Sequence, residues 1–133
     1  MTGVAVRHLG GDAFAVTIRG HELVVDQPVE DGGTDTGPTP TELFAASLAS
    51  CVAFYAGRFL RRHDVAPDGL GVRCAFRMAE GHPARVAGID LTVDVPEAFP
   101  AERAEALRRV VERCTVQNTL REPPDVRLEI ALR

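Results

Sequence analysis

Apolar and polar residues alternate along several stretches of the chain, which is the pattern of β-strands with one buried face. Two such stretches, 13–18 and 22–26, are joined by Arg19-Gly20 and predict a β-hairpin, with 3–8 as a further candidate strand. The other alternating stretches are 70–78, 89–95 and 126–132. Short strands joined by tight turns predict antiparallel pairing.

Residues 39–63 are predicted to form the first helix. The letters TPTE at 39–42 read as a capping box, with a threonine N-cap, a proline at the first helical position and a glutamate at the third. Apolar side chains lie nearly all round the helix over 43–60, which indicates a central and mostly buried helix. Serines and Arg58 inside this stretch favour a buried helix over a membrane span, so we expect no membrane partner.

Pro100 is predicted to begin a second helix. Its apolar residues recur at spacings of three and four, which places on one face Ala104, Leu107, Val110, Val111 and Cys114. The predicted order is β-β-α-β-β-α-β, which is an α+β fold with antiparallel sheet and two main helices. With 133 residues, 45% of them hydrophobic, and no internal repeat or linker, the chain is predicted to be one domain over 1–133.

Composition narrows the class of function. The net charge is −4 and no basic run is present, so we expect no nucleic-acid partner. The chain has no lysine, which excludes a catalytic lysine. The amino terminus lacks the apolar core of a signal peptide, and three cysteines are too few for a disulfide scaffold. We therefore expect a cytoplasmic protein, where a cysteine pair is more often catalytic or metal-binding than structural.

The cysteines are the candidate chemistry. Cys51 lies on the first predicted helix and Cys114 on the buried face of the second, so their thiols could meet if the helices pack together. Cys74 is predicted to point into a sheet face as a small hydrophobic residue, and the same reading stays open for the other two. Zinc bound by Cys51, Cys114 and a histidine is a further alternative that no spacing supports, since the chain has no CxxC motif.

Two segments resemble the motifs of the OsmC/Ohr family. The run GPTPTEL at 37–43, continued by ASC at 49–51, is similar to the family's first motif, G-x-x-P-x-E-L followed by small residues and a cysteine. The run CTVQNTL at 114–120 is similar to the second motif, a cysteine followed by P-V-x-x-T-L. The order and spacing of the two motifs agree with the family over most of the chain.

This resemblance implies an α+β fold in which an intertwined homodimer carries two central helices at its middle and two sites at the subunit interface. It also implies a thiol peroxidase acting on organic or hydrogen peroxides. On that reading Cys51 attacks the peroxide and becomes a sulfenic acid, Cys114 resolves it as a disulfide, and an external dithiol restores both thiols. No metal and no organic cofactor is implied.

The resemblance also assigns charged residues to the site. The hydroperoxide-specific branch of the family uses a glutamate ten residues before the first cysteine and an arginine from the first hairpin. Here the glutamate is Glu42, nine residues before Cys51, where it also completes the capping box, and the nearest arginines are Arg7 and Arg19. Threonine replaces the proline that follows the second cysteine. These features place the chain closest to a third, OsmC-like branch whose first motif reads G-P-S-P-T-E-L.

Two other classes of function stay open. The first is a dimer with the same fold that binds a small apolar molecule and has weak or no catalytic activity, its cysteines serving as core residues. The second is a purely structural interaction protein, which the two matched motifs make the weaker alternative.

Overall fold

The computed structural model describes residues 3–132, and within them it has five strands and three α-helices. The strands are β1 (Val4–Gly10), β2 (Ala13–Ile18), β3 (His21–Val25), β4 (Gly71–Met78) and β5 (Val86–Asp94). The helices are α1 (Pro40–Arg62), α2 (Ala104–Val111) and α3 (Thr115–Arg121), with 3-10 turns at Val29–Asp31 and Ala101–Arg103. The α+β class and the antiparallel sheets are confirmed.

The described chain divides into two compact units. One unit takes in the chain up to Ala46 together with Phe76–Gly88, and the other takes in Ser47–Ala75 and the chain from Ile89 onward. The prediction of a single domain stays a prediction.

The first unit contains an antiparallel sheet in the order β1-β2-β3. The predicted hairpin between β2 and β3 is confirmed, with Ile18 opposite His21. Its two connecting residues, Arg19 at φ 51° and Gly20 at φ 89°, both lie in the left-handed region, as the tight two-residue turns that fit twisted strands require. The candidate strand at 3–8 is also present, as β1.

Asp26 organises the loop between β3 and α1. Its side chain is 1% exposed, and its carboxylate accepts hydrogen bonds from the backbone N–H of Gln27 at 2.7 Å and from the hydroxyl of Thr34 at 2.8 Å. Thr36 donates two more, from its backbone N–H at 3.0 Å and its hydroxyl at 2.6 Å. These donors hold the pKa of Asp26 far below its ordinary value, mainly through Thr36. The backbone N–H of Asp26 donates to the carbonyl of Pro38, so this one residue ties the loop together through both its side chain and its backbone.

The capping box at the start of α1 is confirmed. The backbone N–H of Glu42 donates to the hydroxyl of Thr39 at 3.0 Å, and the carboxylate of Glu42 accepts from the backbone N–H of Thr39 at 2.8 Å. These reciprocal bonds satisfy two donors that a helix start leaves without partners.

The core of the second unit is built on α1, which supplies Leu48, Val52, Ala56, Phe59 and Leu60. Leu107 and Val111 of α2 pack against them together with Cys114, while β4 and β5 contribute half-buried side chains. The prediction that α1 is buried on most faces is only partly met, because Phe54 is 55% exposed. By length and composition alone α1 passes the test for a membrane span, as core helices of soluble proteins also do.

Two predictions on the second half of the chain are wrong. The helix predicted from Pro100 through Cys114 ends at Val111, and a separate helix α3 starts at Thr115. The strand predicted at 126–132 is not formed, because no strand within residues 3–132 pairs with it. Its apolar residues are largely exposed: Val126 85%, Leu128 84%, Ile130 77% and Leu132 92%.

Candidate active site

Cys51 lies within α1 in the second unit and is half-buried. It packs against the apolar core cluster without being enclosed by it. Its sulfur is therefore held on a rigid helix while part of the side chain stays accessible to solvent. This is the combination that a small reactant needs in order to reach a thiol.

Cys114 is fully buried, with no exposed surface, and lies between α2 and α3. Its backbone is extended, with ψ at 156°, and it serves as the N-cap residue of α3. Burial raises the pKa of Cys114, since the charged thiolate is poorly solvated there, and the backbone amides of Gln117 and Val116 oppose this rise in part.

The structure brings the two thiols together. Hydrogen bonding with Cys51, and a negative charge on it, both add to the rise in the pKa of Cys114. Both cysteines are free thiols. Burial and the neighbouring thiol thus both favour the protonated form of Cys114.

A second contact joins the same two segments. The hydroxyls of Tyr55 and Thr115 are 3.0 Å apart and hydrogen-bonded. Tyr55 lies one turn after Cys51 on α1, and Thr115 directly follows Cys114. No sequence motif pairs Tyr55 with Thr115, although each lies near one of the two cysteines. The signal was present, because neighbours of two residues that meet can themselves meet.

Arg58 stacks on the same helix face. Its guanidinium carbon lies 5.1 Å from the centre of the Tyr55 ring and 5.3 Å from that of the Phe54 ring, distances at which a cation is attracted to an aromatic face. The two rings meet edge to face with their centres 5.6 Å apart. These contacts restrict the orientation of the Tyr55 ring.

A cavity of about 780 Å³ lies in the second unit, between α1, β5 and α2. Its apolar wall includes Val52, which follows Cys51, and also Leu91, Val93, Phe99, Leu107 and Val111. Arg108, Arg121, Glu105 and Glu112 also line it. The space is large enough for a small organic molecule and offers it mainly hydrocarbon contacts.

The three charged residues assigned by resemblance lie in the first unit. Glu42 is engaged in the capping box. Arg7 forms an exposed ion pair with Glu22 at 3.3 Å, and Arg19 occupies the hairpin turn. Their predicted roles at Cys51 stay predictions.

The third cysteine differs from its prediction. Cys74 lies on β4 as expected, but it is exposed rather than packed into a sheet face. Among residues 3–132, no group of three or more His, Cys, Asp or Glu side chains is placed to hold a metal ion.

Comparison with known proteins gives a family and a fold. The family model described as OsmC-like protein matches residues 33–129. No curated protein matches the chain in sequence.

Several solved structures share the fold. A protein of Psychrobacter arcticus 273-4, named for the osmotic stress induced and detoxification response, superposes with a TM-score of 0.81 at 23% identity, covering 90% of this chain and 88% of that chain. An organic hydroperoxide resistance protein OsmC of Legionella pneumophila gives a TM-score of 0.70 at 21% identity, covering 91% and 89%. The organic hydroperoxide resistance protein OhrB of Bacillus subtilis gives 0.67 at 23% identity, covering 97% and 96%. At these identities the likeness shows the fold alone.

Proposed function

Because the chain belongs to the OsmC-like protein family, we propose that it is a thiol peroxidase that reduces organic or hydrogen peroxides in defence against oxidative stress. The observation that carries the proposal is the meeting of Cys51 and Cys114, 63 positions apart in sequence, as two free thiols. The names of two structural neighbours, both organic hydroperoxide resistance proteins, support the choice of substrate class.

The first step takes place on Cys51. Its thiolate attacks the terminal peroxide oxygen, so that an S–O bond forms as the O–O bond breaks. The sulfur is oxidised by two electrons to a sulfenic acid, and the leaving oxygen takes up a proton and departs as alcohol, or as water when the substrate is hydrogen peroxide. Cys51 fits this role better than Cys114, since Cys51 is half-exposed whereas Cys114 is fully buried.

Cys114 performs the second step. Its sulfur attacks the sulfur of Cys51, the S–S bond forms, and hydroxide leaves with the proton from the Cys114 thiol as water. An external dithiol then reduces the disulfide and is itself oxidised, which returns both cysteines to the thiol form. The overall reaction consumes one peroxide and one dithiol, and neither a metal nor an organic cofactor takes part. A reducing compartment such as the cytoplasm would supply the dithiol.

A charged group is needed beside Cys51 because an apolar environment disfavours its thiolate. By resemblance to the family we propose Arg7 or Arg19 as the cation and Glu42 as the carboxylate that accompanies it. In the single chain Arg7 is paired with Glu22, Arg19 occupies the hairpin turn and Glu42 completes the capping box. Substitution of each residue tests whether it also acts on Cys51.

We further propose that the active form is an intertwined homodimer. Four apolar residues of the segment 126–132 are more than three-quarters exposed, and Val4 and Val6 on β1 are each 59% exposed. Within residues 3–132 the segment 126–132 has no strand partner and β1 is an edge strand, and both are typical sites of pairing with another chain. Phe54 on α1 supports the same conclusion, because a second central helix would cover it.

The proposal is tested by counting thiols after treatment with peroxide. One equivalent of cumene hydroperoxide per subunit should remove two free thiols in the wild type and release one equivalent of alcohol. In Cys114→Ser the reaction should stop at a sulfenic acid on Cys51, which dimedone captures. Cys74→Ser is the matched control and should behave as the wild type. If peroxide leaves Cys51 unmodified in both the wild type and Cys114→Ser, the peroxidase proposal is wrong.

The cavity beside Val52 favours one second candidate, a dimer that binds a small apolar molecule without reacting with peroxide. The two candidate functions predict different behaviour for the variant Cys51→Ser. A binding protein should hold a fluorescent apolar probe equally well in wild type and variant and consume no peroxide in either. The proposed peroxidase should lose peroxide consumption in the variant.

A further inference from the structure

Helix α3 carries Cys114 at its start, and its position relative to α1 decides where that thiol lies. Within the helix and its approach the bonds are local: the Asn118 side chain donates to the carbonyl of Arg113, and Arg121 donates to the carbonyl of Glu112. The Tyr55–Thr115 hydrogen bond is different, because it joins α3 to α1 across 60 positions of sequence. It acts where the two cysteine-bearing segments meet.

We propose that Tyr55 and Thr115 are positioning residues that hold Cys114 against Cys51 for the resolving step. This inference rests on the proposed peroxidase chemistry and adds residues to it. The pair touches neither the peroxide nor the reacting sulfur atoms in the proposed mechanism. It acts through the placement of the residue next to Thr115.

The demand for such a device follows from the chemistry of the second step. Formation of a disulfide needs the attacking sulfur in line with the S–O bond that breaks, and a misplacement of about 1 Å can slow a reaction of this kind about 100-fold. Cys114 lies in the extended residue between α2 and α3, and its backbone bonds, from its N–H to Val111 and from the N–H of Asn118 to its carbonyl, stay within this segment. The bond between Thr115 and Tyr55 ties the segment to α1.

Arg58 extends the arrangement. Its guanidinium group lies over the Tyr55 ring, so the cation contacts the face of the ring. On a helix a long side chain leans back toward the N-terminus, which brings Arg58 over the preceding turn. Tyr55 is thus fixed at its ring by Arg58 and at its hydroxyl by Thr115.

The device belongs to this chain rather than to the family motif. The second motif has proline where this chain has Thr115, and proline carries no hydroxyl to bond with a tyrosine. The threonine is therefore more than a tolerated replacement. It supplies one half of the contact.

The experiment separates the two chemical steps in Tyr55→Phe, Thr115→Val and Thr115→Ser. Stopped-flow consumption of cumene hydroperoxide reports oxidation of Cys51, and quenched samples report the conversion of sulfenic acid to disulfide. We expect Tyr55→Phe and Thr115→Val to oxidise Cys51 within about twofold of the wild-type rate but to form the disulfide at least about tenfold more slowly. Thr115→Ser, which keeps a hydroxyl, should restore the rate.

Thr119→Val is the matched control, because Thr119 lies on the same helix and its hydroxyl bonds within the helix, to the carbonyl of Thr115. The double variant Tyr55→Phe, Thr115→Val should form the disulfide no more slowly than the slower single variant, since the two substitutions remove the same hydrogen bond. Disulfide formation at the wild-type rate in Tyr55→Phe and Thr115→Val would overturn the inference, as would equal slowing in Thr119→Val.

A second oxidant distinguishes this failure from that of the proposed function. Diamide forms the disulfide from the two thiols without a peroxide, and the same slowing in the variants is expected. If wild-type Cys51 resists cumene hydroperoxide while diamide still reveals the slowing, the peroxidase proposal fails and the positioning role stands. If peroxide oxidises Cys51 and neither oxidant reveals slowing, the positioning role fails alone.

Discussion

The fully buried thiol of Cys114, between α2 and α3, lies against the half-buried thiol of Cys51 on α1, and a charge on Cys51 disfavours a charge on Cys114. Burial and the neighbouring thiol both favour the protonated form of Cys114. The accessible surface of Cys51 and the protonated, buried state of Cys114 fit their proposed roles as the attacking and the resolving thiol.

The raised pKa of Cys114 predicts a dependence of stability on alkaline pH. A group that favours its protonated form in the folded chain contributes fully below its unfolded-state pKa, here an ordinary value of 9.0, and that contribution is lost as pH rises through the higher folded-state pKa. We expect the free energy of unfolding to fall as pH rises above about 9 in the wild type and to fall less in Cys114→Ala. Urea titrations in the presence of a reductant measure both.

Cys74→Ala is the control for this experiment, because Cys74 is exposed. It should lose stability with pH as the wild type does. An equal loss in Cys114→Ala and in the wild type would show that Cys114 ionises as freely in the folded chain as in the unfolded one.

Asp26 predicts the opposite behaviour in acid. Its pKa is lowered mainly by the two donors of Thr36, so its contribution to stability is present above the ordinary carboxyl value of 3.8 and is lost as pH falls toward the lower folded-state pKa. We expect the wild type to lose stability steeply below about pH 4, and Asp26→Asn to be less stable at neutral pH with a shallower loss in acid. Thermal unfolding followed by circular dichroism measures both slopes.

Thr36→Val and Thr36→Ser refine this test. Valine has nearly the same volume as threonine but lacks its hydroxyl donor, so Thr36→Val should weaken the dependence of stability on acid pH. Serine keeps the hydroxyl and should preserve that dependence. A wild-type acid slope in both Asp26→Asn and Thr36→Val would contradict the assignment.

Local signals predicted much of this fold. The alternating stretches gave the two hairpin strands and β4 and β5, and the reciprocal bonds of Thr39 and Glu42 appear where the letters TPTE placed them. Both features depend on residues close together in sequence, whose geometry is set by backbone period and by the orphan donors of a helix start. The family motifs then identified the cysteine pair that the structure brings together.

The misses depend on single residues or on distant partners. The spacing of Leu107, Val111 and Cys114 fits one continuous helix, and no glycine or proline interrupts it. The break is a turn at 112–113 followed by the extended backbone of Cys114, which a period of three and four cannot detect. The segment 126–132 has the pattern of a strand, but a strand also needs a partner, and residues 3–132 supply none.

Glu42 can be tested as a cap and as a catalytic group at once. Glutamine can complete a capping box but carries no charge, whereas alanine can do neither. We expect Glu42→Ala to lower the free energy of unfolding by about 0.5–1 kcal/mol and Glu42→Gln to leave it almost unchanged. If Glu42 also serves the site, Glu42→Gln should slow oxidation of Cys51 despite its normal stability, as measured by stopped flow. Equal peroxide rates in Glu42→Gln and the wild type would limit Glu42 to the cap.

The arginines allow a parallel comparison. A cation near Cys51 stabilises its thiolate. Replacing the arginine that serves the site by glutamine should therefore slow oxidation of Cys51 at least about tenfold. We expect this of one of Arg7→Gln and Arg19→Gln, with folding stability nearly unchanged because both residues are exposed. Arg103→Gln, also exposed, is the control. Wild-type rates in both variants would remove the two arginines from the site.

The segment 126–132 gives the sharpest test of the dimer. Leu128 and Ile130 are 84% and 77% exposed in the single chain, and burying them against a second copy would remove a large apolar surface from water. We expect the wild type to sediment as a dimer and Leu128→Glu to shift toward monomer at micromolar concentration. Arg127→Glu reverses a charge on the alternate face of the same segment and should remain dimeric, since neighbouring strand residues point to opposite faces. A wild-type monomer would overturn the proposed dimer, whereas a dimer insensitive to both substitutions would place the contact elsewhere and leave these apolar residues without the role proposed for them.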